Sequence, residues 1–163
     1  MTLLQSRLKE LLDYCPDTGR FVWKVPRGGL AKINTIAGTI KTGGYRQIMI
    51  DKKMYPAHRL AWLYVHGVFP STLLDHVNRR PDDNSIKNLR EATQKQNREN
   101  LNLAKNNTSG RTAVFWVKRT KRWQAKIGHN GQRIHLGYFG SKEEAIAAVR
   151  NAEAKYFTHR EAF

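Results

Sequence analysis

Acidic residues are scarce in this chain. Of 163 residues only 13 are Asp or Glu against 29 Lys or Arg, giving a net charge of +16 and a pI near 10.3. The imbalance is not a basic tail on a neutral domain. Up to residue 100 there are 17 basic and 9 acidic residues, and beyond it 12 and 4, a net +8 in each part. Cysteine is nearly absent: Cys15 alone excludes an intrachain disulfide framework and any zinc site built from several thiolates of one chain. That fits a reducing compartment. Long apolar runs are missing too, so neither a signal peptide nor a membrane span is visible at the N-terminus, and a cytoplasmic protein without membrane contact is expected.

What is present points to a polyanion as partner. A field of this sign attracts nucleic acid, and four Trp, six Tyr and six Phe interleaved with the basic residues favour nucleic acid over a membrane surface. The blander alternative is a charged surface that only solvates the fold. At 40% hydrophobic residues the chain can build either one large domain or two with modest cores.

Along the first half, Thr2 to Gln5 has the form of a capping box, and Leu4, Leu8, Leu11, Leu12 and Cys15 recur at helical spacing. Pro16 to Gly19 reads as a turn into a strand over 20–25. The Gly-rich, basic stretch 26–43 reads as a loop with a short strand near Ile36 to Ile40. Residues 44–50 alternate, and Lys52-Lys53 would turn them into Met54-Tyr55 as a hairpin. Pro56 suits the first position of a helix over 57–66 that stops at Gly67. Its apolar residues wrap most of the circumference, which predicts a buried helix; His58 is within reach of a site, though a histidine there is more often a packing residue.

After residue 100 the pattern changes. The stretch 101–110 has little to bury and reads as a linker. Three alternating runs follow, centred on Val114 and Trp116, on Trp123, Ala125 and Ile127, and on Ile134 and Leu136, with Asn130-Gly131 as a tight hairpin turn between the last two. Ser141 to Glu144 is a second capping box, opening a helix whose face carries Ala145, Ala148, Val149, Ala152 and Tyr156. A three-stranded antiparallel sheet backed by one helix is expected.

The densest chemistry lies between Asp75 and Asn97. Cleaving a phosphodiester takes an activated water, a Lewis acid on the phosphate and stabilisation of the leaving oxygen. A hard divalent ion prefers oxygen ligands and keeps its waters, and Asp75 and Asn97 supply a carboxylate and an amide oxygen. His76, next to Asp75 on a strand, points to the other face and titrates near neutrality, as a general base should. Ordinary turn chemistry explains isolated Asp and Asn residues equally well.

The runs His58 to Trp62, Leu74 to Asn78, Asp83 to Thr93 and Gln96 to Asn100 closely resemble the HNH endonuclease family. The resemblance, which extends over roughly residues 3–100, implies a ββα-metal (His-Me finger) fold with one bound divalent ion, magnesium first and manganese as the alternative. It makes Asp75 and Asn97 the ligands, His76 the general base and Asn88 the residue that fixes the loop carrying that base. It also implies hydrolysis of double-stranded DNA to a 5′-phosphate and a 3′-hydroxyl, by nicking, in a phage or mobile-element enzyme of homing type. No small-molecule cofactor is implied.

The second half resembles the ethylene-response-factor (APETALA-type) DNA-binding domain through Ser109-Gly110, Lys121 to Ile127, Arg133 to Phe139 and the helix that starts with Glu143-Glu144. That family lays its sheet in the major groove. By the resemblance Gln124, Lys126, Arg133 and His135 face DNA, while Lys118, Arg119, Lys121 and Arg122 hold phosphates. In the first strand the usual Arg-Gly-Val is replaced by Thr112-Ala113-Val114, so one basic contact is missing.

The sequence thus predicts an α+β chain with a nuclease domain over 1–100, a linker over 101–110 and a DNA-binding domain over 111–163. Its rivals are a catalytically silent DNA-binding regulator on the same fold and an RNA-directed protein. Monomer and dimer are both compatible with it.

Overall fold

The computed structural model describes residues 3–26, 28, 32–100, 107 and 109–158. They form two compact units, Met1–Asn97 and Arg98–Phe163.

In the first unit, helix α1 (Gln5–Leu11) buries Leu8 and Leu11. The expected capping box is not what opens it. Leu4 occupies the cap and offers no side-chain hydrogen bond, Thr2 lies outside the described residues, and Gln5 Nε2 donates instead to Tyr64 O at 2.8 Å. Nor does the helix run on to Cys15. It ends at Leu11, and Leu12–Cys15 is strand β1, paired antiparallel with β2 (Arg20–Trp23). Leu12 and Tyr14 are buried while Asp13 and Cys15 are exposed, so a period of two wins over the helical spacing. Leu4, also placed on the helical stripe, is exposed.

A second sheet orders β3 (Thr39–Ile40), β4 (Arg46–Ile50) and β5 (Lys53–Pro56), all antiparallel. Ile36 forms only an isolated bridge to Val22. The β4–β5 turn sits at Asp51-Lys52, one residue earlier than expected. Both have positive φ, +46° and +64°, as the twist of a two-residue hairpin turn requires. Ile48 and Ile50 point into the core and Met49 out of it.

Helix α2 (Ala57–His66) starts with Pro56 at the cap rather than inside the first turn, and Gly67 closes it in the left-handed conformation, its N–H on Leu63 O. Ala57, Leu60, Ala61 and Leu63 are buried, whereas Val65 and His66 are exposed. Trp62 and Tyr64 pack against the core as well, so the helix is covered around most of its circumference and opens to solvent at its C-terminal end. Strands β6 (Leu73–His76) and β7 (Leu89–Ala92) pair antiparallel and lead into the short helix α3 (Gln94–Glu99). Leu8, Leu12, Phe21, Ile48, Ile50 and Leu60, all fully buried, are the centre of this unit's core.

In the second unit, β8 (Val114–Val117), β9 (Arg122–His129) and β10 (Gln132–Phe139) form an antiparallel sheet in the order β10-β9-β8. Helix α4 (Lys142–Tyr156) covers one face. Its capping box is formed: Glu144 N–H donates to Ser141 Oγ, and Glu144 Oε2 accepts from Ser141 N–H. Ala145, Val149 and Ala152 pack on Val114, Ala125 and Ile127, the small side chains letting helix and sheet approach closely. Asn130 and Gly131 make the β9–β10 turn with φ of +50° and +76°. Most of the stretch expected as a linker lies outside the described residues. By Ser109 the chain belongs to the fold, for Ser109 is buried and its hydroxyl donates to Arg111 O at 2.7 Å. No helix among the described residues is long and apolar enough to cross a membrane.

Candidate active site

The β6–β7 hairpin brings Asp75 and His76 to the mouth of the loop 77–88, opposite Arg90 and Leu89 respectively. One side chain closes that loop at its base. Asn88 Oδ1 accepts from Asn78 N–H at 2.9 Å, Asn88 Nδ2 donates to Asp83 O at 2.8 Å, and Asn88 O accepts from Val77 N–H at 2.9 Å. Asp83 organises the interior of the loop. Its carboxylate accepts from Ser85 N–H, Ser85 Oγ–H and Asn78 Nδ2, the last at 2.6 Å. Desolvation works against the charge on Asp83, but these hydrogen bonds together outweigh it and hold the group below the ordinary carboxylate range.

His76 is buried, with Nε2 3.5 Å from Asn84 Oδ1. Its ring stands edge-on to His58 at 5.3 Å between centroids, and Tyr45 lies 5.8 Å from His76 and 5.6 Å from His58. Burial pushes both imidazoles toward the neutral form. For His76 the shift is downward despite opposition from Asn84 and from Asp75, Asp82 and Asp83. For His58, burial, then His76 and Arg59, bring the pKa down to about 4. At neutral pH His76 is therefore an uncharged base. His58 is indeed a packing residue, but it packs against the site, and its Nδ1 is buried without a hydrogen-bond partner among the described residues.

Asp75 is buried, and Arg90 meets it through Nε at 3.0 Å and Nη2 at 2.9 Å, both on Oδ2. Two donors on one oxygen offset the hydration that a carboxylate loses on burial. Asn97 lies on α3 and is half-buried; its N–H donates to Thr93 O at 2.9 Å. No hydrogen bond among the described residues joins it to Asp75 or His76.

The donors fit a hard, weakly demanding cation. Among the described residues no group of three or more His, Cys, Asp or Glu side chains gathers. An ion held by Asp75 and Asn97 would leave most of its positions to water and substrate oxygens, which is how magnesium is usually bound.

In the second unit, register places Gln124, Lys126, Arg133 and His135 on the sheet face opposite α4, since their neighbours Ala125, Ile127 and Ile134 pack toward the helix. Arg133 and His135 are exposed, Gln124 and Lys126 half-buried, and Lys118, Arg119, Lys121 and Arg122 lie exposed at the β8–β9 end. Strict alternation missed two aromatics here. A bulge between His135 and Gly137 shifts the register, so Tyr138 pairs with Gln124 on the outer face, where its hydroxyl accepts from Gln124 Nε2 at 3.1 Å. Phe115, also opposite Gln124, carries Lys126 Nζ 4.9 Å from its ring centre. In the first unit, reading by motif likewise overlooked Asn84 and Arg90. Both lie inside the run that carries the resemblance, but an amide in Asp-Asp-Asn-Ser and an arginine on a strand look like loop and surface residues.

Comparison with known proteins supplies a family for this geometry. Residues 55–105 match the model of an HNH endonuclease family, a stretch that contains Asp75, His76, Asn84, Asn88 and Asn97. The chain is also similar to Protein 3.8 of Escherichia phage T7, with 30% identity over 86 residues, 50% of this chain and 71% of the phage protein. No solved structure matches.

Proposed function

We propose, from the premise that this chain belongs to the HNH endonuclease family, that it is a metal-dependent DNA endonuclease with a single cleavage centre on the β6–β7 hairpin. The observation that carries this reading is the closed loop 77–88. Asn88 ties both of its ends, and burial pushes His76 toward the neutral form beside the buried side chain of Asp75. A neutral imidazole can take a proton from water at the moment that water attacks phosphorus. The β6–β7–α3 order fits the ββα-metal arrangement expected for the family.

Asp75 and Asn97 are the residues that would hold a divalent ion, magnesium or manganese. Such an ion, when bound, supplies Lewis-acid stabilisation of charge on the phosphate and the leaving oxygen. Arg90 orients Asp75 through two donors on Oδ2. His76 is the general base, and Asn88 holds its loop. One such centre per chain makes nicking the expected outcome, with a 5′-phosphate and a 3′-hydroxyl as ends. The second unit serves as the targeting module: Arg133, Gln124, Lys126 and His135 face base edges, and Lys118, Arg119, Lys121 and Arg122 take phosphates. A phage or mobile-element role of homing type follows from this pairing of modules.

Incubation of supercoiled plasmid with the purified chain tests the reading. Conversion to the nicked form is expected with magnesium and not with a chelator in excess. A chain that binds duplex DNA but leaves the plasmid intact in magnesium and manganese is a silent regulator, and one that prefers structured RNA at matched salt acts on another substrate.

A further inference from the structure

We infer that Asn84 is a positioning residue that fixes the tautomer of His76, placing its proton on Nε2 and leaving Nδ1 to accept the proton of the attacking water. The inference rests on the nuclease reading for its purpose, but not for its geometry.

The geometry begins with the amide of Asn84, which is almost wholly buried at 1% exposure. Its Nδ2 donates to the Asp82 carbonyl at 3.1 Å. Turning the amide over would set Oδ1 against the Asp82 carbonyl oxygen in a buried site, so Oδ1 is the atom that faces His76. Oxygen only accepts. The ring nitrogen 3.5 Å away, Nε2, must then be the donor, and in a neutral imidazole the lone pair is left on Nδ1.

Asn84 is itself held from a distant part of the chain. Tyr14 Oη donates to Asn84 O at 2.7 Å, and Ile86 N–H donates to Pro16 O at 3.0 Å. Gly19 closes on the same segment, where an added Cβ would lie 2.2 Å from Asn84 C and Ser85 N. The β1–β2 hairpin, outside the stretch 55–105 that matches the family model, thus grips the residue that orients the base.

The chemical step gives this contact its purpose. The water oxygen forms a bond to phosphorus, its proton passes to His76 Nδ1, and the bond from phosphorus to O3′ breaks with its electron pair on O3′, which is protonated from solvent. His76 becomes an imidazolium, and the Nε2–H bond to Asn84 turns from neutral to charge-assisted. It is then stronger in the transition state than in the ground state. Loss of Asn84 should consequently lower kcat about ten- to a hundredfold while leaving KM for DNA unchanged.

The test is nitrogen-15 NMR of the histidine side chains in the full chain, without metal or DNA, at a pH above the histidine range. Wild-type His76 is expected as the Nε2–H tautomer, Asn84→Leu as a mixture, and Tyr14→Phe as a smaller shift in the same direction. A wild-type spectrum with the proton on Nδ1 overturns the inference even if no variant folds. An unchanged tautomer in a folded Asn84→Leu protein overturns it too. Because the spectrum needs no activity, a chain with the Nε2–H form that cuts no DNA upholds the tautomer assignment and overturns the nuclease reading alone.

Discussion

At the scale of single residues, the site is organised by where charge is allowed. Buried Asp75 receives two donors from Arg90 on one of its oxygens, whereas burial pushes His58 and His76 toward the neutral form, and the neighbouring His76 adds to the shift of His58. The histidines carry a measurable consequence. An unfolded histidine titrates near 6.5 and folded His58 near 4, so between those values the unfolded chain binds more protons. Stability is complete above the upper value and falls as pH drops toward the lower, with about 2 kcal/mol lost to His58 between about pH 7 and pH 5. His76 adds to the loss in the same direction. Urea midpoints at the two pH values should show it, and His58→Phe should make the dependence shallower by that amount; an unchanged slope would mean that His58 is not buried neutral. Asp75, His76, Asn88 and Asn97 could be singled out because they lie in the runs that resemble the HNH family, and the first three fall on one hairpin and its loop. Asn84 was not singled out, since its role comes from the direction of one amide and from Tyr14, seventy positions away.

Between residues and molecule, elements were legible where one periodicity stood alone. The α4 cap, the Asn130-Gly131 turn and α2 sit where sequence spacing puts them. The end of α1 was not legible, because Leu8, Leu11, Leu12 and Cys15 satisfy a helix, while Leu12 and Tyr14 satisfy a strand equally well. Pairing of β1 with β2 decides it, a long-range contact that no local window contains. The outer face of the second sheet was only partly legible for a related reason: a single bulged residue reverses which of the side chains after His135 face out, and so brings Tyr138 beside Gln124. The β1–β2 turn makes the sharpest prediction at this scale. Gly19 has φ +69° and no room for a methyl group against the Asn84 backbone. Gly19→Ala should therefore cost about 2 kcal/mol or more in thermal or urea unfolding, combining a strained backbone with displacement of the loop. A variant as stable as wild type would contradict the clamp.

For the whole molecule, the dominant property is charge, and it is shared. Each half carries +8, so each has its own electrostatic attraction to polyanions. If the second unit is the targeting module proposed above, phosphate contacts and base contacts should separate under mutation. Lys121→Ala is expected to weaken binding to cognate and random duplexes alike and to reduce the salt dependence by about one counterion, whereas Arg133→Ala should cost about 1–3 kcal/mol on the cognate site alone. Equal losses on both DNAs for both variants would remove base reading from Arg133. The target site for this comparison comes from sequencing cleavage junctions on a phage or host genome.

The central claim is that the His76 imidazole does the proton transfer at a cleavage centre built on the β6–β7 hairpin. The most direct measurement is the rate at which supercoiled plasmid is nicked at saturating magnesium by wild-type chain and by His76→Ala, with duplex binding measured alongside. The expected result is a fall in rate of about a hundred- to ten-thousandfold with DNA affinity kept. Equal nicking by the two proteins, or none by the wild type while it still binds duplex, would contradict it.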